Sequence, residues 1–81
     1  MQMICGVDVS QSWLDAWLEP AGHRRFANTA EGVAQLGAFC RRHGVELVVM
    51  EASGKIEEDP FLSLWQQGEC PIFCVSAAAG H

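Results

Sequence analysis

The pattern of apolar and polar positions predicts five short strands and two helices. Residues 3–9 and 45–51 are apolar runs rich in β-branched side chains, and each predicts a strand that is buried on both faces. Residues 13–18 carry large side chains on both faces, whereas residues 23–28 are more polar, which suits the edge of a sheet. A Pro-x-Gly turn separates these last two strands, so the first three strands are expected to form an antiparallel meander.

The segment that follows this meander predicts the first helix. Asn28-Thr29 offers an N-cap, and Glu31 stands three residues after Asn28 in a capping-box arrangement. A basic run precedes Gly44, which suits the position just after a helix end. The expected buried face consists of Val33, Leu36, Phe39 and Cys40.

The second helix is expected to end at Gly68, but the sequence allows two starts. Asp59-Pro60 makes a cap followed by a first-turn proline, yet the helix could also begin near Ser53 and bend at Pro60. Residues 71–75 predict the last strand. The expected buried stripe of the second helix consists of Phe61, Leu64 and Trp65.

The predicted order of elements is β-β-β-α-β-α-β, which is an α/β chain with a mixed sheet. Right-handed crossovers place the fourth strand beside the first, on the side away from the hairpin, and the fifth strand beyond the fourth. The predicted strand order is therefore 3-2-1-4-5. We expect residues 1–75 to form one domain and residues 76–81 to be a flexible tail.

Two acidic residues stand at the ends of strands that this order makes neighbours. Asp8 and Glu51 each lie at or next to the carboxyl end of a strand, so parallel pairing brings those ends about 4.8 Å apart. Ligands of open α/β sheets bind outside this edge. Carboxylates at that spacing repel each other unless a divalent cation neutralises both, and oxygen ligands favour Mg²⁺ or Mn²⁺ over zinc. The alternative for each acid is a strand end that simply meets water.

A third acid, Asp15, is a weaker candidate for the same site. It falls in the middle of a strand, on the same face as Trp13 and Trp17. The favoured alternatives to a role in the site are a solvent-facing position or a hydrogen bond near the sheet edge.

The composition narrows the classes of function. The 81 residues include 5 Lys+Arg and 10 Asp+Glu, a net charge of −5, which argues against this chain alone wrapping nucleic acid. The pairs Arg24-Arg25 and Arg41-Arg42 are expected on a solvated surface. The apolar runs are too short to cross a bilayer and no signal peptide is evident, so we expect a cytoplasmic protein with no membrane partner.

The cysteines do not have the spacing of a zinc site. They form no C-x-x-C pair, and none has a histidine at finger-like spacing, so structural zinc is disfavoured. Cys5 and Cys74 lie in apolar runs, where a thiol behaves as a small hydrophobe. The full set is Cys5, Cys40, Cys70 and Cys74.

Four short motifs, in their order and spacing, resemble a known family. The match covers about residues 4–75 and is with the amino-terminal part of the Piv-like, bridge-RNA-guided transposases of bacterial insertion sequences. The motifs are Gly6-Val7-Asp8-Val9-Ser10, Leu14-Asp15, Phe26-x-Asn28-Thr29-x-x-Gly32-Val33 and Val48-Val49-Met50-Glu51-Ala52-Ser53-Gly54.

The resemblance implies a ribonuclease-H-like (RuvC-like) domain with Asp8 and Glu51 as the first two catalytic acids and Mg²⁺ ligands. The family uses four acids, Asp-Glu-Asp-Asp, together with a nucleophilic serine on a separate carboxyl-terminal domain. This sequence stops before the last two aspartates and the serine domain, and neither Ser10 nor Ser53 replaces that serine. We therefore expect a truncated transposase fragment that binds metal weakly and is inactive alone. In the intact family the partners are DNA and a guide RNA.

Two other classes of function remain open on the sequence. A sugar-kinase or actin-like ATPase half-domain has a similar strand-turn-strand opening, although its phosphate-binding turn is richer in Gly, Ser and Thr than residues 9–12. A non-catalytic, self-associating module is the other alternative, because an incomplete sheet exposes an edge and apolar surface. Phe61, Trp65 and Phe73 are candidates for that surface, although the core is the favoured place for each, and a homo-oligomer is expected.

Overall fold

The computed structural model describes residues 3–19, 21–52, 61–68 and 71–76. Within these residues the chain forms a mixed α/β structure. The elements are β1 (Ile4–Val9), β2 (Trp13–Leu18), β3 (Gly22–Ala27), α1 (Ala30–Arg42), β4 (Leu47–Ala52), α2 (Phe61–Gln67) and β5 (Phe73–Ser76). Neither of these helices has the length and apolar character needed to span a membrane.

The strands form one sheet in the order β3-β2-β1-β4-β5, as the sequence predicted. β1 pairs antiparallel with β2, and β2 pairs antiparallel with β3, which confirms the meander. β4 pairs parallel with both β1 and β5. The polar strand β3 lies at the edge of the sheet, also as predicted.

The strands are buried on one face, so the expectation that residues 3–9 and 45–51 are buried on both faces is wrong for the part of the chain that the structure describes. On β1, Val7 is 2% exposed whereas Ile4 is 46% exposed. On β4, Met50 is fully buried whereas Glu51 is exposed. An apolar run shows that a strand is hydrophobic, but it does not show whether another segment of the protein covers the second face of that strand.

The buried face of the sheet packs against both helices in a single core. The core includes alternate residues of the strands together with the apolar stripes of α1 and α2. We call the opposite face of the sheet the open face. Its side chains include Ile4, Asp8, Trp13, Asp15, Trp17, Val49 and Glu51.

The N-terminus of α1 uses the second residue of the predicted Asn28-Thr29 cap. Thr29 is the N-cap, and its Oγ1 accepts a hydrogen bond from the Gly32 amide at 3.0 Å. Asn28 instead donates through Nδ2 to the Ser10 carbonyl at 2.8 Å, which ties the helix start to the turn between β1 and β2. The predicted capping box between Asn28 and Glu31 is therefore wrong, because Asn28 is used for a tertiary contact.

The C-terminus of α1 closes as predicted. Gly44 has a φ of +70°, a left-handed conformation that favours glycine. Its amide donates to the Arg41 carbonyl at 3.2 Å, and the Val45 amide donates to the Cys40 carbonyl at 2.9 Å. These two bonds form a Schellman motif, which turns the chain directly into β4.

The second helix supplies two of its three expected core residues, whereas Leu64 is only partly buried. Phe61 is fully buried and Trp65 is 3% exposed, which confirms the core positions favoured for both over a place in an exposed apolar patch. The Trp65 indole Nε1 donates to the Ile72 carbonyl at 3.0 Å, which fixes α2 against the chain entering β5. Phe73, the third candidate, is 68% exposed.

The predicted boundaries of the second helix and of the C-terminal tail fall at or beyond the ends of the described segments. Both predicted starts of the second helix, near Ser53 and at Asp59-Pro60, lie outside the described residues, as does Cys70. Ser76 was expected to begin the tail, but it is the last residue of β5 and pairs with Met50. The rest of the predicted tail, residues 77–81, lies outside the described residues.

Candidate functional site

A row of charged residues crosses the open face at one level of the sheet. Asp8 on β1 is in register with Glu51 on the parallel strand β4. On its other side Asp8 is in register with Asp15 on β2, and Asp15 is in register with Arg25 on the edge strand β3. We call Asp15, Asp8 and Glu51 the acidic row.

The structure confirms the predicted juxtaposition of Asp8 and Glu51. Each is the fifth residue of a six-residue strand, and both are exposed on the open face. Side chains in register on neighbouring strands stand side by side, with strands about 4.8 Å apart. The two carboxylates therefore lie side by side at the carboxyl ends of β1 and β4. This is the edge where ligands bind in open α/β sheets.

A shallow cavity of about 370 Å³ lies beside the two acids. Gly6 forms its floor, because Gly6 is in register with Trp17 on one side and Val49 on the other and has no side chain to fill the space between them. A Cβ atom added at Gly6 would have no heavy atom within 4 Å. Asp8 and Glu51 thus border a space that is open to solvent and walled by an indole ring.

Asp15 belongs to the same row but has a different environment. Its Oδ1 accepts hydrogen bonds from Arg25 Nε and His23 Nε2, both at 2.9 Å. The hydrogen bond from Arg25, followed by that from His23, lowers the pKa of Asp15 below its usual value. Its charge is therefore already paired, which corresponds to the hydrogen-bonded alternative that the sequence left open.

The partners of Asp15 are in turn held by the two tryptophans of β2. The Arg25 guanidinium lies 5.2 Å from the centroid of the Trp13 ring, a cation–π distance. The His23 ring lies 4.4 Å from the Trp17 ring, centroid to centroid. These contacts form a connected cluster on the open face of β2 and β3, next to the cavity.

The donor set of the acidic row fits part of a Mg²⁺ or Mn²⁺ site. Asp8 and Glu51 would supply carboxylate oxygens, which are the ligands that these hard cations prefer. Among the described residues no group of three or more His, Cys, Asp or Glu side chains is arranged to hold a metal ion. Mg²⁺ commonly keeps several water ligands and binds through one or two carboxylates, so two acids make a partial but compatible site.

Ser10 has a structural role in the turn between β1 and β2. Its Oγ donates to the Trp13 carbonyl at 3.1 Å and accepts from the Trp13 amide at 3.2 Å. Its backbone amide donates to the same carbonyl at 2.9 Å. The turn therefore uses the serine hydroxyl and amide internally, which leaves that amide without capacity to bind a phosphate group.

Sequence reasoning identified the two acids but missed Gly6 and Trp17 as the floor and wall of the cavity. The alternation of β2 placed Trp17 on the face of Asp15, and that was the available signal. The contact with Gly6 depends on the antiparallel register of β1 and β2, which alternation alone does not define.

The cysteines that were singled out contribute to the core. Cys5 and Cys40 are both fully buried in the core between the sheet and the helices, as expected for both. Comparison with protein-family models gave no match, and a search of curated proteins found no significant match.

Proposed function

We propose that the chain is the amino-terminal part of a ribonuclease-H-like DNA transposase, in which Asp8 and Glu51 supply two carboxylate ligands for Mg²⁺ or Mn²⁺. The observation that carries this proposal is the parallel register of Asp8 with Glu51 on the open face. The motif resemblance gave both residues the same role. The strand order 3-2-1-4-5 is the one that this family's fold implies.

The chemistry of the two acids suits strand cleavage and exchange only when a cation is bound. A phosphodiester is an anion, and two adjacent carboxylates repel it. A divalent ion neutralises that repulsion and, when bound, stabilises charge on the oxygens of the reacting phosphate. The protein's part is to hold the two carboxylates in register and to keep the space above Gly6 open beside them.

Asp15 takes no part in holding the metal in this proposal. Its carboxylate is engaged by Arg25 and His23, so a metal ion would have to compete with two hydrogen bonds. Asp15 and its partners instead form the border of the site on the side of β2. This difference makes Asp15 a matched control for Asp8, because it is the same residue type, on the same face, one strand away.

Manganese titration of the 81-residue chain tests the metal site directly. We expect Mn²⁺ to broaden the backbone amide signals around Asp8 and Glu51 in ¹⁵N-resolved NMR spectra. Asp8→Asn and Glu51→Gln should each abolish this local broadening, whereas Asp15→Asn should retain it. Broadening that is centred elsewhere, or that survives Asp8→Asn, would contradict the proposed site.

The catalytic part of the proposal is tested by nicking of supercoiled plasmid with Mg²⁺ or Mn²⁺. With two of the family's four acids, we expect the chain to bind metal weakly and to show no turnover. Nicking that Asp8→Ala abolishes would show that the chain is competent by itself, contrary to this expectation. Independently, the coding DNA downstream should encode two further aspartates and a serine domain, and a downstream region without any trace of them would contradict the ancestry.

A further inference from the structure

A second cavity lies on the helix side of the sheet edge, between β3 and α1. Its volume is about 400 Å³. The residues that matter for its chemistry are Arg24 and Phe26 on β3, with Gln35, Phe39 and Arg42 on α1. We call it the basic cleft.

The basic cleft concentrates positive charge in an acidic protein. Three of the chain's five Lys and Arg residues line it, although the net charge of the chain is −5. One of the three, Arg25, donates its Nε to Asp15 on the open face, so Arg24 and Arg42 are the guanidinium groups available to the cleft. No carboxylate lines the cleft, and none lies within 4.0 Å of the Arg24 or Arg42 guanidinium, among the residues that the structure describes.

Contacts within the fold position one of these guanidinium groups. The Arg24 guanidinium carbon lies 5.6 Å from the centroid of the Phe39 ring, which is the distance of a cation–π interaction. Phe39 is itself fixed, because it is 8% exposed and packs against Phe26 at 5.7 Å and His43 at 4.7 Å between ring centroids. The guanidinium of the exposed residue Arg24 thereby lies over a buried ring.

The two arginines come from separate pairs in the sequence, Arg24-Arg25 and Arg41-Arg42, each of which was expected on a solvated surface. The fold divides each pair. Arg24 and Arg42 line the basic cleft without a carboxylate partner, whereas Arg25, which also lines it, donates its Nε–H to Asp15 on the open face. Arg41 lines a different, smaller cavity on α1. The joint position of Arg24 and Arg42 therefore arises only in the folded chain.

We propose that the basic cleft binds a phosphate group carried by a nucleotide or by a nucleic-acid strand. Guanidinium groups bind phosphate oxygens through paired, charge-assisted hydrogen bonds, and the Gln35 amide can donate a further one. The volume is at the small end of the range for ligand sites. This site is on the opposite side of the sheet from the acidic row. A test of the basic cleft is therefore independent of any test of the proposed metal site.

Isothermal titration of the full 81-residue chain with inorganic pyrophosphate tests the proposal. Arg24→Gln and Arg42→Gln should each weaken binding about tenfold, which is the effect of losing one charge-assisted hydrogen bond. Arg41→Gln is the matched control, since it removes the same charge from the neighbouring residue of the same helix and should leave binding unchanged. Circular dichroism of each variant confirms that the fold is retained, as expected for exposed side chains.

Two further titrations identify the source of the phosphate group. Equal binding of pyrophosphate and adenosine monophosphate would assign the cleft to free nucleotides. Tighter binding of a short single-stranded oligonucleotide, with a steeper dependence on salt, would assign it to a nucleic-acid backbone. Absence of binding by all three probes at millimolar concentration, or a loss with Arg41→Gln equal to that with Arg24→Gln, would overturn the proposal.

Discussion

The two faces of the sheet are built from the same strands but differ in what lies on them. On the helix side, alternate residues such as Val7 and Met50 are buried in the core. On the open face their immediate neighbours, Asp8 and Glu51, are exposed and in register with each other. Adjacent residues of one strand therefore serve different purposes. The helix side contains the core that determines stability, whereas the open face holds the candidate metal site.

This division predicts that stability and site chemistry can be changed separately by substitutions one residue apart. It also predicts that glycines on the two sides have different tolerance for a side chain.

Gly32→Ala should be the most damaging single change, because the first turn of α1 lies directly against the backbone of β3 there. A Cβ at Gly32 would overlap the backbone carbonyl of Ala27, which cannot move without displacing β3. We expect a loss of about 3 kcal/mol in the free energy of unfolding, measured by urea denaturation. Gly6→Ala on the open face is the control and should stabilise the chain by about 0.5 kcal/mol, since its added methyl meets open space. Equal effects of the two changes would contradict the comparison.

Met50→Ala and Glu51→Ala form the most direct test, since the residues are neighbours on β4. Met50 is fully buried, so its truncation should cost about 2–4 kcal/mol in unfolding free energy while leaving Mn²⁺ broadening in place. Glu51 is exposed, so its truncation should abolish the broadening with no measurable loss of stability. If both variants lost stability to the same extent, the open face would be part of the core after all.

The open face should also promote self-association. Ile4, Trp17 and Phe73 expose 46%, 60% and 68% of their surface on the strands. Because large exposed apolar side chains favour association, we expect light scattering to report a dimer or larger assembly. The double variant Trp17→Ser with Phe73→Ser should shift that population towards the monomer. A wild-type chain that stays monomeric at high concentration would contradict this prediction.

The smallest expected effect concerns the pH dependence of Asp15. Hydrogen bonds from Arg25 and His23 lower its pKa in the folded state below the reference value of 3.8. A lowered carboxyl pKa stabilises the fold above the pKa of the unfolded state, and this contribution is lost as pH falls through the folded-state pKa. The stability difference between the wild type and Asp15→Asn should therefore be constant above about pH 5 and shrink below about pH 4.

Urea denaturation across that pH range provides the measurement. Arg25→Gln removes the partner with the largest effect, so an Asp15→Asn substitution in that background should show a weaker pH dependence. If the difference in unfolding free energy between wild type and Asp15→Asn grew as the pH fell, the lowered pKa of Asp15 would be contradicted.

Much of the fold could be predicted because local apolar patterns define the elements and the handedness of crossover connections defines their order. The periods of the apolar residues gave the strands and the face of α1, and right-handed crossovers then gave the strand order. That order was sufficient to bring Asp8 beside Glu51, although the residues are far apart in sequence. The side-by-side position of the two acids was thus accessible from sequence, while their role as metal ligands remains a prediction.

The features that escaped prediction depend on contacts between distant parts of the chain. Asn28 has the intrinsic preference of an N-cap, but its hydrogen bond to the Ser10 carbonyl uses it elsewhere and passes the cap to Thr29. The exposure of the open face depends on which segments cover it. The position of Arg24 and Arg42 around one cavity depends on how α1 lies against β3. None of these can be read from periodicity.

The pairing of Asp15 with Arg25 has a consequence for the electroneutrality of the acidic row. The guanidinium cancels the charge of Asp15, so the row carries an uncompensated charge equal to that of two carboxylates. One divalent ion balances that charge, whereas a monovalent ion leaves an excess. In the proposed metal site, Arg25 would therefore favour a divalent ion over a monovalent one, because it cancels the charge of Asp15 without contacting the ion.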